Sequence, residues 1–155
     1  MCIGLYAGSF DPFTNGHLYV LKQASKIFTK VIVVIAVNSK KKRKTNQEEM
    51  KQAIIETLKI EGIDNAEVFC YQGLIVDLAK DVDAEFFVRG LRNGTDFEYE
   101  ENIALINHEL SGINTMYLRA GSTSHISSSA VMEILAYSTE VLKWVPKPVA
   151  EVLTK

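Results

Sequence analysis

The sequence predicts an α/β fold: one doubly wound, parallel, five-stranded sheet of Rossmann-like form, with residues 1–155 making a single domain. Three observations carry this prediction. Short apolar runs alternate with longer helical patterns along the whole chain. The run Val31 to Val37 (VIVVIAV) is β-branched and has no polar face, as in a strand buried on both sides. No repeat, low-complexity tract or linker interrupts the 155 residues, a length whose core needs no disulfide or metal.

In chain order, Ile3 to Ala7 is the first strand and His17 to Phe28 the first helix. Val31 to Val37 is the second strand, followed by a helix from Gln47 to Ile60. Ala66 to Tyr71 and Glu85 to Val88 are further strands, with a helix over Leu74 to Lys80 between them. Asp96 to Leu110 is a helix with Asp96 as its expected N-cap. Asn114 to Leu118 is the fifth strand, Ser127 to Tyr137 another helix, and the tail after Pro146 is helical. Ligands of such sheets lie beyond the carboxyl ends of the strands, so the chemistry should sit in the segments that follow strands.

Bulk properties narrow the function. The apolar fraction is 47% and the charged fraction 23%, an ordinary globular mixture. No run approaches the roughly 18 apolar residues of a membrane span, and Met1-Cys2-Ile3-Gly4 lacks the features of a signal peptide. With only Cys2 and Cys70 available, a reduced, cytoplasmic protein is expected. A net charge of −2 argues against a general nucleic-acid binder. Anion binding must then come from local clusters, which occur at Lys40 to Lys44 and at Arg89 and Arg92.

Four segments could carry chemistry. Gly8 to His17 follows the first strand, and its glycines let backbone approach a ligand. His17 opens a helix, where free amides and the dipole favour an anion and disfavour an imidazolium. It is either a neutral donor to a phosphate oxygen or an incidental turn residue. Arg89 and Arg92 flank Gly90-Leu91 at the end of a strand and either fork phosphates or form surface ion pairs. Glu100, nearby, is a ligand contact or a partner for the helix dipole. Thr123 to Ser129 offers hydroxyl and backbone donors at a helix start, although serine is also a common N-cap. The run Lys40 to Lys44 is a solvated loop, a nucleic-acid patch or an anion trap.

The chain has no G-x-x-x-x-G-K-[ST] loop, no G-x-G-x-x-G fingerprint, no metal-ligand spacing and no nucleophile with a recognisable base. Such a site holds phosphates without offering a covalent catalyst. A phosphate monoester is largely dianionic at neutral pH and can attack a nucleotide α-phosphorus unaided. Catalysis then reduces to positioning and charge stabilisation.

Gly8-Ser9-Phe10-Asp11-Pro12 with Thr14-Asn15-Gly16-His17 resembles the T/H-x-G-H signature of the nucleotidyltransferases. Arg89-Gly90-Leu91-Arg92 through Asp96-Phe97-Glu98-Tyr99-Glu100, and Ile126-Ser127-Ser128-Ser129, resemble the narrower family of bacterial phosphopantetheine adenylyltransferases. The resemblance spans nearly the whole chain. It implies transfer of AMP from Mg-ATP to 4′-phosphopantetheine, giving dephospho-coenzyme A and pyrophosphate, with Mg²⁺ carried by ATP. It further implies a homohexamer inhibited by coenzyme A, with no nucleic-acid or membrane partner.

The resemblance also implies roles for residues. His17, Lys41 and Arg92 would be catalytic. Ser9, Phe10, His17, Gly90, Leu91, Arg92, Glu100 and Thr123-Ser124-His125-Ile126-Ser127-Ser128-Ser129 would contact ATP. Ser9, Lys41, Ile75 and Arg89 would contact the acceptor. Three positions depart from the family pattern: Met132 stands where a cation is common, Thr123 and His125 where aromatics are usual, and Arg43 where proline follows two lysines. The neighbouring possibilities are a nucleotidyltransferase with another phosphorylated acceptor and a non-catalytic nucleotide or coenzyme A binding protein.

Overall fold

The computed structural model describes residues 1–155. The apolar run Ile3–Gly8 forms β1 and Lys30–Ala36 forms β2, joined by helix α1 over Asn15–Ile27. Helix α2 (Gln47–Ile60), strand β3 (Ala66–Tyr71), helix α3 (Ile75–Asp81) and strand β4 (Phe86–Leu91) follow. Helix α4 (Gly94–Ser111), strand β5 (Asn114–Arg119) and helix α5 (Ser128–Leu135) come next, and helix α6 (Lys147–Leu153) ends the chain. All neighbouring strands are parallel, in the order β3-β2-β1-β4-β5. The expected doubly wound five-stranded sheet is therefore present.

Side-chain alternation along β2 explains the run without a polar face. Val31, Val33 and Ile35 enter a core of 22 buried residues shared with α1, α2 and the C-terminal segments. Ile32 and Val34 enter a second core of 7, shared with α3. The two faces are unequally covered. In α4 only Glu100 is buried, while Phe97, Tyr99, Leu105, Ile106 and Leu110 are exposed.

Several boundaries differ from the sequence reading. Helix α4 starts earlier, because Asn93 and not Asp96 is its N-cap: the Asn93 side chain accepts from the Asp96 amide at 3.0 Å. Asp96 lies in the first turn and turns back to Arg92. Strand β4 runs on from Val88 to Leu91, since β5 pairs with it as far as Arg119. Arg89 therefore belongs to the strand. The helix expected over Ser127 to Tyr137 ends at Leu135; Ser138 then caps a 3₁₀ turn over Thr139–Trp144.

The order of the sheet positions the site. From β1 the chain crosses to β2 on one side, while β4 and β5 build outward on the other. The carboxyl ends of β1 and β4 meet at this change of direction, where a crevice opens.

Candidate active site

A cavity of about 300 Å³ occupies that crevice. Its walls come from three βα segments distant in sequence. Ser9, Phe10, Thr14 and His17 follow β1. Arg89, Gly90, Arg92, Asp96 and Glu100 come from the end of β4 and the start of α4. Thr123, Ile126, Ser127, Ser128 and Ser129 follow β5. The histidine and both arginines thus share one pocket.

His17 is fixed in orientation and tautomer. Thr14 is the N-cap of α1, and His17 is the third residue of a reciprocal capping box. The Thr14 amide donates to His17 Nδ1 at 2.9 Å, so Nδ1 bears a lone pair and Nε2 carries the hydrogen. The ring packs edge-on against Phe10, with centroids 4.9 Å apart, and lies 5.5 Å from Phe13. This burial, with further repulsion from Arg89 and Arg92, lowers its pKa to about 3. The ring is neutral, as expected. The largest cause is desolvation, in a site where Phe10 and Phe13 enclose the ring.

Both arginines are already paired. Arg89 grips Glu100 through two bonds, Nε to Oε2 at 2.7 Å and Nη2 to Oε1 at 2.8 Å. Its Nη1 also donates to the Ala7 carbonyl. Burial alone would lower the Arg89 pKa, but the hydrogen bonds and charge of Glu100 raise it overall. Of the five N–H donors of a guanidinium, one each is engaged at Nε, Nη1 and Nη2, which leaves two free. Glu100 is 8% exposed, so its first duty is to orient Arg89. The exposed Arg92 bonds Asp96 through Nε at 2.9 Å and Nη2 at 3.2 Å, and these bonds hold the Asp96 carboxyl below its usual range.

The third wall is divided in the same way. Ser127 caps α5, its hydroxyl accepting from the Ala130 amide at 3.1 Å. The Ser128 hydroxyl donates to the Pro12 carbonyl at 2.7 Å and ties this loop to the β1 loop. Ser129 is exposed on the cavity rim.

Some predicted residues stand outside the cavity wall. Leu91, Ser124 and His125 do not line it, and the His125 ring lies 5.7 Å edge-on from Trp144. Ile75 packs with the smaller core under α3. Lys41 is exposed, its amide bonded to the Asn38 carbonyl. Met132 is half-buried in α5 and off the wall. Conversely, Tyr6 lines the pocket with no site role in the sequence reading, and Thr14, there a member of the T/H-x-G-H signature without a role of its own, lines it too. The spacing of Thr14 and His17 is that of a capping box, the signal for the threonine's part in orienting the ring. Tyr6 is buried, and its burial raises the phenol pKa.

No group of three or more His, Cys, Asp or Glu side chains is placed to hold a metal. The two carboxylates on the wall, Asp96 and Glu100, are each held by an arginine.

A histidine, two arginines and the first turns of three helices surround one crevice of a parallel sheet, an arrangement suited to phosphates, and the cytidylyltransferase-like family matches residues 5–134, so the chain is a nucleotidyltransferase. The fold also matches the crystal structure of a putative nicotinate-nucleotide adenylyltransferase from Vibrio parahaemolyticus. The TM-score is 0.75 over all of both chains, at 17% identity. Among close relatives, the phosphopantetheine adenylyltransferase of Shouchella clausii is 42% identical over 95% of this chain and 92% of its own. That of Leuconostoc mesenteroides is 43% identical over 99% and 94%. The chain belongs to the phosphopantetheine adenylyltransferase family.

Proposed function

We propose that the chain transfers the adenylyl group of Mg-ATP to 4′-phosphopantetheine, releasing pyrophosphate and forming dephospho-coenzyme A. Family membership supports the reaction. The single observation that carries the mechanism is His17, held neutral by burial with its Nε2–H as donor, in the same pocket as Arg89 and Arg92.

The reaction joins two anions. An oxygen of the acceptor phosphate attacks the α-phosphorus, the bond to the bridging α,β-oxygen breaks, and pyrophosphate departs. The acceptor is already a dianion, so no side chain need remove a proton. His17 donates Nε2–H to a non-bridging phosphate oxygen and stabilises charge as it develops. Arg89 keeps Glu100 and offers its two spare N–H groups to phosphate. Arg92 is on the surface and can exchange Asp96 for a stronger phosphate partner. The amino ends of α1 and α5, with Ser129, offer further donors to the nucleotide. Mg²⁺ comes with ATP, as substrate, and neutralises its phosphates.

On this reading Ser9, Phe10, Gly90, Leu91, Glu100 and the Thr123 to Ser129 loop form the nucleotide side. Lys41, Ile75, Ser9 and Arg89 form the acceptor side, with coenzyme A as an inhibitor of the same pocket. The reading also includes a homohexamer and a cytoplasmic location. The apolar side chains exposed on α4 support assembly. No helix is long and apolar enough to cross a membrane.

Pyrophosphate release with ATP and Mg²⁺ tests the proposal, with acceptors supplied one at a time and the product identified by mass. Turnover of 4′-phosphopantetheine to dephospho-coenzyme A is expected. Release only with glycerol phosphate or nicotinamide mononucleotide would reassign the acceptor. Thermal stabilisation by nucleotide without turnover with any acceptor would make the chain a binding protein.

A further inference from the structure

The loop between β2 and α2 holds five consecutive cations, Lys40 to Lys44, and the structure treats one unlike the rest. Lys40, Lys41, Lys42 and Lys44 are exposed, and none takes part in an ion pair. Arg43 turns inward, its side chain 14% exposed. Its Nη1 donates to the Ser9 carbonyl at 2.7 Å, Nη2 to the Phe10 carbonyl at 3.4 Å, and Nε to the Thr45 carbonyl at 3.1 Å. The Asp11 carboxylate lies 3.7 Å from Nη2 and is equally enclosed. Asp11 in turn accepts from the amides of Lys44 and Thr45, at 2.7 and 2.8 Å, and from the Thr45 hydroxyl at 2.7 Å.

This knot joins two functional surfaces. Ser9 and Phe10 are cavity wall, and the Phe10 ring supports His17. Phe10 has φ 45°, a left-handed conformation that a non-glycine residue keeps only when its surroundings hold it. On its other side the lysine segment is anchored again, with the amides of Lys40 and Lys41 bonded to Asn38. Lys40 to Lys42 thus form a short arch fixed at both feet, one of them on the cavity wall. Free lysines are flexible and strongly hydrated. An arch ordered in advance spares part of the ordering cost when an anion binds.

We propose that Arg43 is a positioning residue: with Asp11 it fastens the lysine arch to the wall of the cavity, so that the arch meets the acceptor's phosphate beside His17. The identity of that acceptor rests on the adenylyl-transfer reading above. Arg43 touches no substrate. A planar fork is required, because the group must reach three carbonyls and a carboxylate at once, which a point-charge lysine cannot do.

Steady-state kinetics of the 155-residue protein test this. Arg43→Ala should raise KM for 4′-phosphopantetheine about tenfold or more, the scale of a small misplacement, while KM for ATP stays within about threefold. Arg43→Lys should recover only part of the loss, and Asp11→Asn should move the same constant in the same direction. Limited trypsin digestion without substrate should cut the Lys40 to Lys42 arch about tenfold faster in Arg43→Ala. An unchanged acceptor KM would overturn the proposal. So would an even loss of kcat with both KM values intact and a lowered Tm, which is the signature of a merely structural role. Should the native protein fail to turn over 4′-phosphopantetheine, the substrate reading fails and the digestion decides alone. Faster cutting then upholds the clamp, and equal cutting refutes it.

Discussion

His17 shows how one side chain can be prepared for its work by its neighbours. Its Nδ1 is occupied by the Thr14 amide and its ring is buried against Phe10, so a single donor is left, at Nε2. His17→Ala should lower kcat by about 10²-fold or more, the scale for losing a transition-state donor. Circular dichroism should meanwhile show an intact fold. Lys41→Ala should instead act on acceptor KM, measured in the same assay. Burial also makes His17 a source of pH sensitivity. The folded ring has its pKa near 3, against 6.5 when free. Below about pH 6.5 the unfolded chain binds this proton and the folded chain does not. The stability contributed by the neutral ring is therefore complete above pH 6.5 and is lost progressively as pH falls toward 3. Urea titrations should give a flatter loss of stability between about pH 6 and pH 4 for His17→Gln, which retains a capping-box acceptor.

Helix α1 must lie close to β4 for His17 to face Arg89. Gly90 makes this approach possible: a Cβ there would stand 2.8 Å from Val20 Cγ2. Val20 is buried and β-branched, so it cannot swing away cheaply. Gly90→Ala should cost about 1–3 kcal/mol by denaturant unfolding, the range for overpacking a core. Adding Val20→Ala should give back part of that cost, a non-additivity expected only of residues in contact. The same packing explains the extension of β4. Its pairing with β5 through Leu91 and Arg119 carries Arg89 and Gly90 in a rigid strand, where a flexible loop would hold them less firmly.

Viewed whole, the chain is finished on one face and unfinished on the other. The larger core is closed by α1, α2, α5 and α6, whereas α4 offers Leu105, Ile106 and Leu110 to solvent. Exposed apolar side chains of this kind, on one helix of 18 residues, are what the proposed assembly would bury. On the proposed hexameric reading, sedimentation equilibrium should give about six times the 17.3 kDa chain mass. Ile106→Asp should yield smaller species, because an assembled interface would have to bury an unpaired charge. A monomeric native mass would contradict this assembly.

Element order, the parallel sheet and the three segments lining the cavity could all be read along the chain, since periodicity and position after a strand are local properties. Val31 to Val37 is apolar throughout because both of its faces are buried, and no partner need be known to see that. Partner choice is another matter. Arg43 binds a carbonyl 34 residues away, Arg89 a carboxylate 11 residues on, and Ser128 a carbonyl 116 residues back. For Arg89 the sequence allows a phosphate contact or an ion pair, and folding makes the ion pair; for Arg43 it offers only a solvated loop, a nucleic-acid patch or an anion trap, and folding turns the side chain inward against carbonyls. Likewise, a helix start is enough to expect a neutral His17, but the desolvation that contributes most to it exists only where Phe10 and Phe13 close around the ring. A residue's chemical type is written in the chain, whereas its charge state and free donors depend on distances that exist only after folding.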